Sequence, residues 1–162
     1  MSKTIAGFKM KLSIQVEGLK ELDEALGELD KDLRGKALYP ALNYASSPML
    51  KEAKQRAALA KEPHEMEYQG QIHQVKPGLL KSAIRRKRVK ARYYQQGAAV
   101  MIYVGRGTKQ KLYPRYWHFI ENGTRKMPAT PFLRPAFDTH KDEAVERFKK
   151  KLGERIEKFN TQ

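Results

Sequence analysis

The sequence predicts an α+β fold, a small antiparallel sheet packed against amphipathic helices, with a long C-terminal helix and a long central loop. Three observations predict it. One early segment alternates apolar and polar residues, and a short apolar run near position 100 is bounded by glycines, both marks of strands. Elsewhere leucines and aromatics recur every three or four residues, the mark of helices. The elements follow one another as strand, helices, hairpin, helix, an order that suits helices laid on an antiparallel sheet.

Phe8, Met10, Leu12, Ile14 and Val16 alternate with polar residues, predicting a half-buried strand that Gly18 ends. Leu19, Leu22, Leu26, Leu29 and Leu33 then form the stripe of an amphipathic helix, with Glu21, Asp23, Glu24 and Glu28 on its other side. Gly35 is expected to interrupt that pattern, and a second helical segment to run over 37–59. Pro40 suits its first turn, while Pro48 predicts a break around Ser46 and Ser47. Residues 60–78 read as a loop punctuated by Pro63, Gly70 and Pro77, long enough to act as an arm reaching a neighbour. Beyond it, 79–91 looks like a strand, and 98–104 is a clearer one, so the pair predicts a hairpin. A short aromatic helix is expected over 113–122, with Pro114 in its first turn and Gly123 just past its end. Pro128, Pro131 and Pro135 then predict an extended crossing. The last helix starts near Pro135 and carries Val145, Phe148, Leu152, Ile156 and Phe159 on one stripe.

Composition narrows the function classes. The chain of 162 residues is 40% apolar, enough for the core of one domain spanning 1–162. It has no cysteine, so disulfide scaffolds, thiolate metal sites and cysteine nucleophiles are excluded. No apolar run approaches the ~20 residues of a bilayer span, and the N-terminus lacks the apolar stretch of a signal peptide. Synthesis in the cytoplasm without membrane association is the expectation.

The formal net charge is +15, unevenly spread. Residues 1–81 hold 13 basic and 11 acidic side chains, whereas 82–162 hold 20 and 7. The densest stretch is 81–92, with Lys81, Arg85, Arg86, Lys87, Arg88, Lys90 and Arg92. Such a tract can meet an acidic protein surface or nucleic acid, or simply be solvated. In the nucleic-acid reading Tyr93 and Tyr94 are candidate stacking residues.

Nothing in the sequence argues for an enzyme. The histidines at 64, 73, 118 and 140 are scattered, and His118 with Glu121 supplies two metal ligands where a zinc site needs three or four. Gly105-Arg106-Gly107-Thr108-Lys109 lacks P-loop spacing. No cofactor or metal is expected.

The most specific stretch is 116–138, YWHFIENGTRKMPATPFLRPAFD. It reads as an aromatic helix, a glycine stop, a proline-clamped link and the start of the last helix. Phe132, Leu133 and Phe137 are expected in the core, and Glu121 with Arg134 as an ion pair across the link. This stretch resembles the signature of the tail-completion, or head–tail joining, family of long-tailed bacteriophages, which includes the minor tail protein Z-like proteins. The matching positions are Phe119, Glu121, Gly123, Thr124, Lys126, Met127 and Pro128, followed by Pro131, Phe132, Leu133, Arg134, Pro135, Ala136 and Phe137. The segment 78–84 resembles the family's Gly-x-Leu-x-x-Ser-Ile, departing from it by the inserted Ala83. The resemblance implies a non-enzymatic virion protein at the neck, assembled in the host cytoplasm into a homo-oligomeric ring, sixfold by expectation, around the DNA channel. It implies neighbouring neck and tail proteins as partners and packaged DNA nearby.

Overall fold

The computed structural model describes residues 24, 27, 31–90 and 97–161. The strand expected over 8–16, the leucine stripe up to Leu29, and Arg92 with Tyr93 and Tyr94 lie outside these residues.

Helix α1 (Lys31–Ala45) runs through Gly35 without interruption and carries Pro40 in its interior rather than in a first turn. Packing explains both departures. Ala37 and Ala41, one turn apart and fully buried, let α1 approach the last helix closely at Leu152 and Ile156. That burial offsets the roughly 3 kcal/mol that an interior proline costs. The chain breaks where the sequence predicts it. Ser46 is a turn residue, and α2 (Ser47–Arg56) restarts with Pro48 in its first turn, where a missing N–H is harmless. The hydroxyls of Ser46 and Ser47 donate to the carbonyls of Leu42 and Asn43, each at 2.7 Å. The Leu42 carbonyl also accepts the Ser46 backbone N–H at 3.0 Å, so the end of α1 is held by side chain and main chain together. Helix α2 stops at Arg56, three residues short of the expected boundary, and Ala57 turns the backbone to extended while staying buried.

The expected loop over 60–78 is largely a β-hairpin. Strands β1 (His64–Tyr68) and β2 (Gln71–Val75) pair antiparallel, His64 opposite Val75 and Tyr68 opposite Gln71. Gln69 and Gly70 both have positive φ, 55° and 77°, the backbone of a tight hairpin turn. Ile72 stands on the outer face, and His64, Gln71 and His73 share the inner face with Met66, Tyr68 and Val75, so the apolar alternation that betrays a strand is faint.

A second correction concerns 79–91. Gly78, at φ 91°, redirects the chain into a short helix α3 (Leu79–Ala83), and the strand β3 (Ile84–Arg88) follows only then. Leu79, Leu80 and Ala83 are buried together, a helical rather than an alternating face. Strand β4 (Val100–Val104) pairs antiparallel with β3 as expected, Ile84 opposite Val104 and Arg88 opposite Val100. Helix α4 (Trp117–Asn122) ends at Gly123, and Pro114 lies buried ahead of it instead of within its first turn. Helix α5 (Leu133–Asn160) runs for 28 residues along α1 and α2.

The architecture is α+β, and the described residues form two two-stranded antiparallel sheets where one small sheet was expected. The main core lies between β3–β4, α2 and the start of α5, around Ala53, Leu80, Ile84, Val104 and Phe132. A smaller cluster of Val75, Leu79 and Leu112 anchors the β1–β2 hairpin. Among the described residues no helix is long and apolar enough to cross a membrane.

Candidate functional site

The 119–137 stretch folds into one unit built around Glu121. A helix leaves its first four backbone N–H groups without internal partners. At the start of α5 the Glu121 carboxylate accepts three of them. Oε2 takes the amides of Phe132 and Leu133 at 2.8 and 3.0 Å, and Oε1 takes that of Arg134 at 3.0 Å. The fourth position is Pro135, which has no N–H to satisfy. The start of the helix is therefore fully accounted for, and a negative charge sits against its positive end. The expected Glu121–Arg134 ion pair is not formed: Glu121 holds the backbone of residue 134, not its guanidinium.

The link between α4 and α5 is ordered by its own hydrogen bonds. Gly123 N–H donates to Phe119 O at 2.8 Å, Thr124 N–H to Met127 O at 2.8 Å, and Thr130 N–H to Ile120 O at 2.7 Å. The Thr124 hydroxyl accepts from the amides of Lys126 and Met127. Gly123 has φ 74°, and a Cβ there would stand 2.8 Å from the amide nitrogen of Ala129. Only glycine permits that approach. Pro128 and Pro131 lie on this exposed link, Phe132 is fully buried, and Leu133 and Phe137 pack against core clusters. Phe119 points outward at 56% exposure, together with Arg125, Lys126 and Met127.

The basic tract reads differently in three dimensions. Alternation along β3 puts Arg86 and Arg88 on the face of Ile84 and Arg85 and Lys87 on the other; Arg85 and Arg86 are half-buried, Lys87 and Arg88 exposed. Arg86 donates to the Asn43 carbonyl and to the hydroxyls of Ser46 and Ser47 at 3.1 and 3.2 Å, tying the sheet to the α1–α2 break. Burial pulls its pKa below the ordinary arginine value, and the group remains cationic. The Arg88 guanidinium stacks 3.4 Å from the Tyr39 ring centroid. Arg85 donates to the Arg106 carbonyl, and Lys87 lies 4.4 Å from the centroid of Tyr103. Lys81 and Lys90 are exposed. The tract is thus divided between two faces and largely engaged within the chain, a division no charge count can reveal.

An open apolar groove of about 860 Å³ runs between β4, the α1–α2 break, α4 and α5. Leu42, Met49, Ile102, Trp117, Phe137 and Phe148 line it, with His118 and Lys141 among its polar residues. Among the described residues no group of three histidine, aspartate or glutamate side chains could hold a metal ion. No family model, curated protein or solved structure matches the chain.

Proposed function

We propose that this chain is a structural protein of the neck of a long-tailed phage. In this reading it completes the tail or joins it to the head as a subunit of a ring around the DNA channel. The supporting observation is the division of labour in the 119–137 stretch. Glu121 and Pro135 close the start of the 28-residue helix α5, Gly123 admits the tight return, and Phe132 anchors the core. These positions do scaffolding work, and the residues they leave outside, Phe119, Arg125, Lys126 and Met127, suit contact with a neighbouring protein. A joining subunit needs rigid surfaces held in register, not a proton-transfer site.

A basic nucleic-acid-binding domain is the second reading, and the geometry favours it less. Arg86 is tied to the α1–α2 break and Arg88 is stacked on Tyr39, so two cations of the 81–92 tract are committed within the chain. A footprint on six to ten phosphates would lose ~10³–10⁵-fold in affinity between 50 and 200 mM salt. The neck reading expects no such slope.

The deciding experiment is electron microscopy of lysates from a phage lacking this gene. Filled heads beside separate tails, restored to whole particles by purified protein, are the expected result. Normal infectious virions would overturn the proposal.

A further inference from the structure

The β1–β2 hairpin sorts its side chains between two unlike faces. Met66, Tyr68, His73 and Val75 turn toward the domain, where Val75 packs on Leu79 and Leu112, and Tyr68 meets His73 and Arg115. Glu65, Glu67, Ile72 and Gln74 turn the other way and are all exposed, Ile72 at 73%. Between Glu62 and Val75 the chain has three glutamates and no lysine or arginine, although its net charge is +15. Gln74 donates to Glu65 at 3.1 Å, and neither outward glutamate forms an ion pair among the described residues. An acidic sheet face with a bare isoleucine near its turn is unusual on so basic a chain.

The outward face of β3–β4 has the same layout with the opposite sign. Arg85, half-buried and donating to the Arg106 carbonyl, and the exposed Lys87, over Tyr103, lie two residues apart on one strand, as Glu65 and Glu67 do, and both keep their positive charge on this face. Met101, at 40% exposure, sits directly opposite Lys87, as Ile72 sits opposite Glu67. Each face is two strands of five residues, with a pair of like charges on one strand and an exposed aliphatic side chain on the other.

We propose that the outward face of β1–β2 docks on the outward face of β3–β4 of a second copy of this chain. Glu65 and Glu67 meet Arg85 and Lys87, and Ile72 lies beside Met101. The two faces are different patches, so the contact is head-to-tail, the kind that closes into a ring when the rotation fits. The ring geometry rests on the neck reading proposed above; the contact itself does not. Two five-residue strands a side are fewer than the roughly 20–30 residues a side of a standard stable interface. The contact therefore sets register and partner choice, and salt weakens it.

The test is a concentration series of the purified full-length chain by sedimentation velocity and native mass spectrometry. Wild-type protein is expected to self-associate, and more weakly in high salt. Glu67→Lys and Lys87→Glu, both at exposed positions, should each weaken association about tenfold or more through like-charge apposition. Mixing the two single variants should restore it. In the mixture each hairpin finds an oppositely charged sheet face, one pair native and one reversed. Circular dichroism of each variant confirms that it is folded. A wild-type chain that stays monomeric at all concentrations, variants that associate like wild type, or a mixture that fails to recover would each overturn the proposal. Phage complementation with the wild-type gene reads the neck role separately, so the failure of either idea is recognisable without the other.

Discussion

Replacing Glu121 with alanine removes the one side chain that closes the start of α5. Three backbone amides lose their acceptor together, and that of Phe132 belongs to a fully buried residue. A hydrogen bond to a charged group contributes about 1.5–3 kcal/mol, and losing a helix cap costs about 0.5–2 kcal/mol. The three bonds share one carboxylate, and water reaches part of the site after truncation, so the individual values do not add in full. We expect a loss of about 3 kcal/mol for Glu121→Ala, which in a chain of this size lowers the thermal midpoint by roughly 6–12 °C. Glu121→Gln keeps one acceptor oxygen and should lose about half as much. Arg134→Ala is the control. If the acidic side chain worked through an ion pair, the two alanine variants would be equally destabilised. With the backbone as its partner, Arg134→Ala should stay within about 0.5 kcal/mol of wild type. Thermal and urea unfolding followed by far-ultraviolet circular dichroism measures all three. A Glu121→Ala variant within 0.5 kcal/mol of wild type, taking ~0.5 as the limit for ordinary surface changes, would refute the capping argument.

Gly123→Ala should destabilise by about 1–3 kcal/mol in the same unfolding assay, because a Cβ at φ 74° would press on the Ala129 backbone. Arg86→Ala should cost about 1.5–3 kcal/mol, since it strips a cation from the Asn43 carbonyl and two serine hydroxyls. Lys90→Ala, at an exposed position of the same tract, should be near neutral, and comparing the two urea midpoints separates a structural arginine from a solvated lysine. A hydrogen bond with His140, aided by Arg147, holds the Glu143 carboxyl below its ordinary pKa of 4.5. Its folded value being the lower one, the stabilisation is present above about pH 4.5 and is lost as pH falls through the folded value. The small difference in thermal midpoint between wild type and Glu143→Gln should therefore vanish on acidification.

Much of the architecture was legible because local patterns and tertiary packing agreed. The Val145–Phe159 stripe, the glycine-bounded strand near 100, the break at Ser46 and the stop at Gly123 each follow from side-chain periodicity or from the backbone limits of proline and glycine. Those forces act within a few residues and can be read in one dimension. The hairpin at 64–75 was hidden because Ile72 stands on its exposed face while His64, Gln71 and His73 sit on the inner one, so apolar and polar residues do not alternate cleanly. Pro40 was placed at a helix start because local preference puts it there, while the fit of Ala37 and Ala41 against α5 keeps the helix intact around it. The two decisive contacts of the candidate site were beyond any pattern. Glu121 reaches amides 11 to 13 residues away, and Arg86 reaches a carbonyl 43 residues away. The sequence by itself determined the fold class, the basic balance, the absence of thiol chemistry and the motif that carries the phage resemblance. Only the tertiary structure decided which charges are engaged inside the chain and which stand exposed, because strand alternation and long-range pairing, not composition, set the direction in which each side chain points.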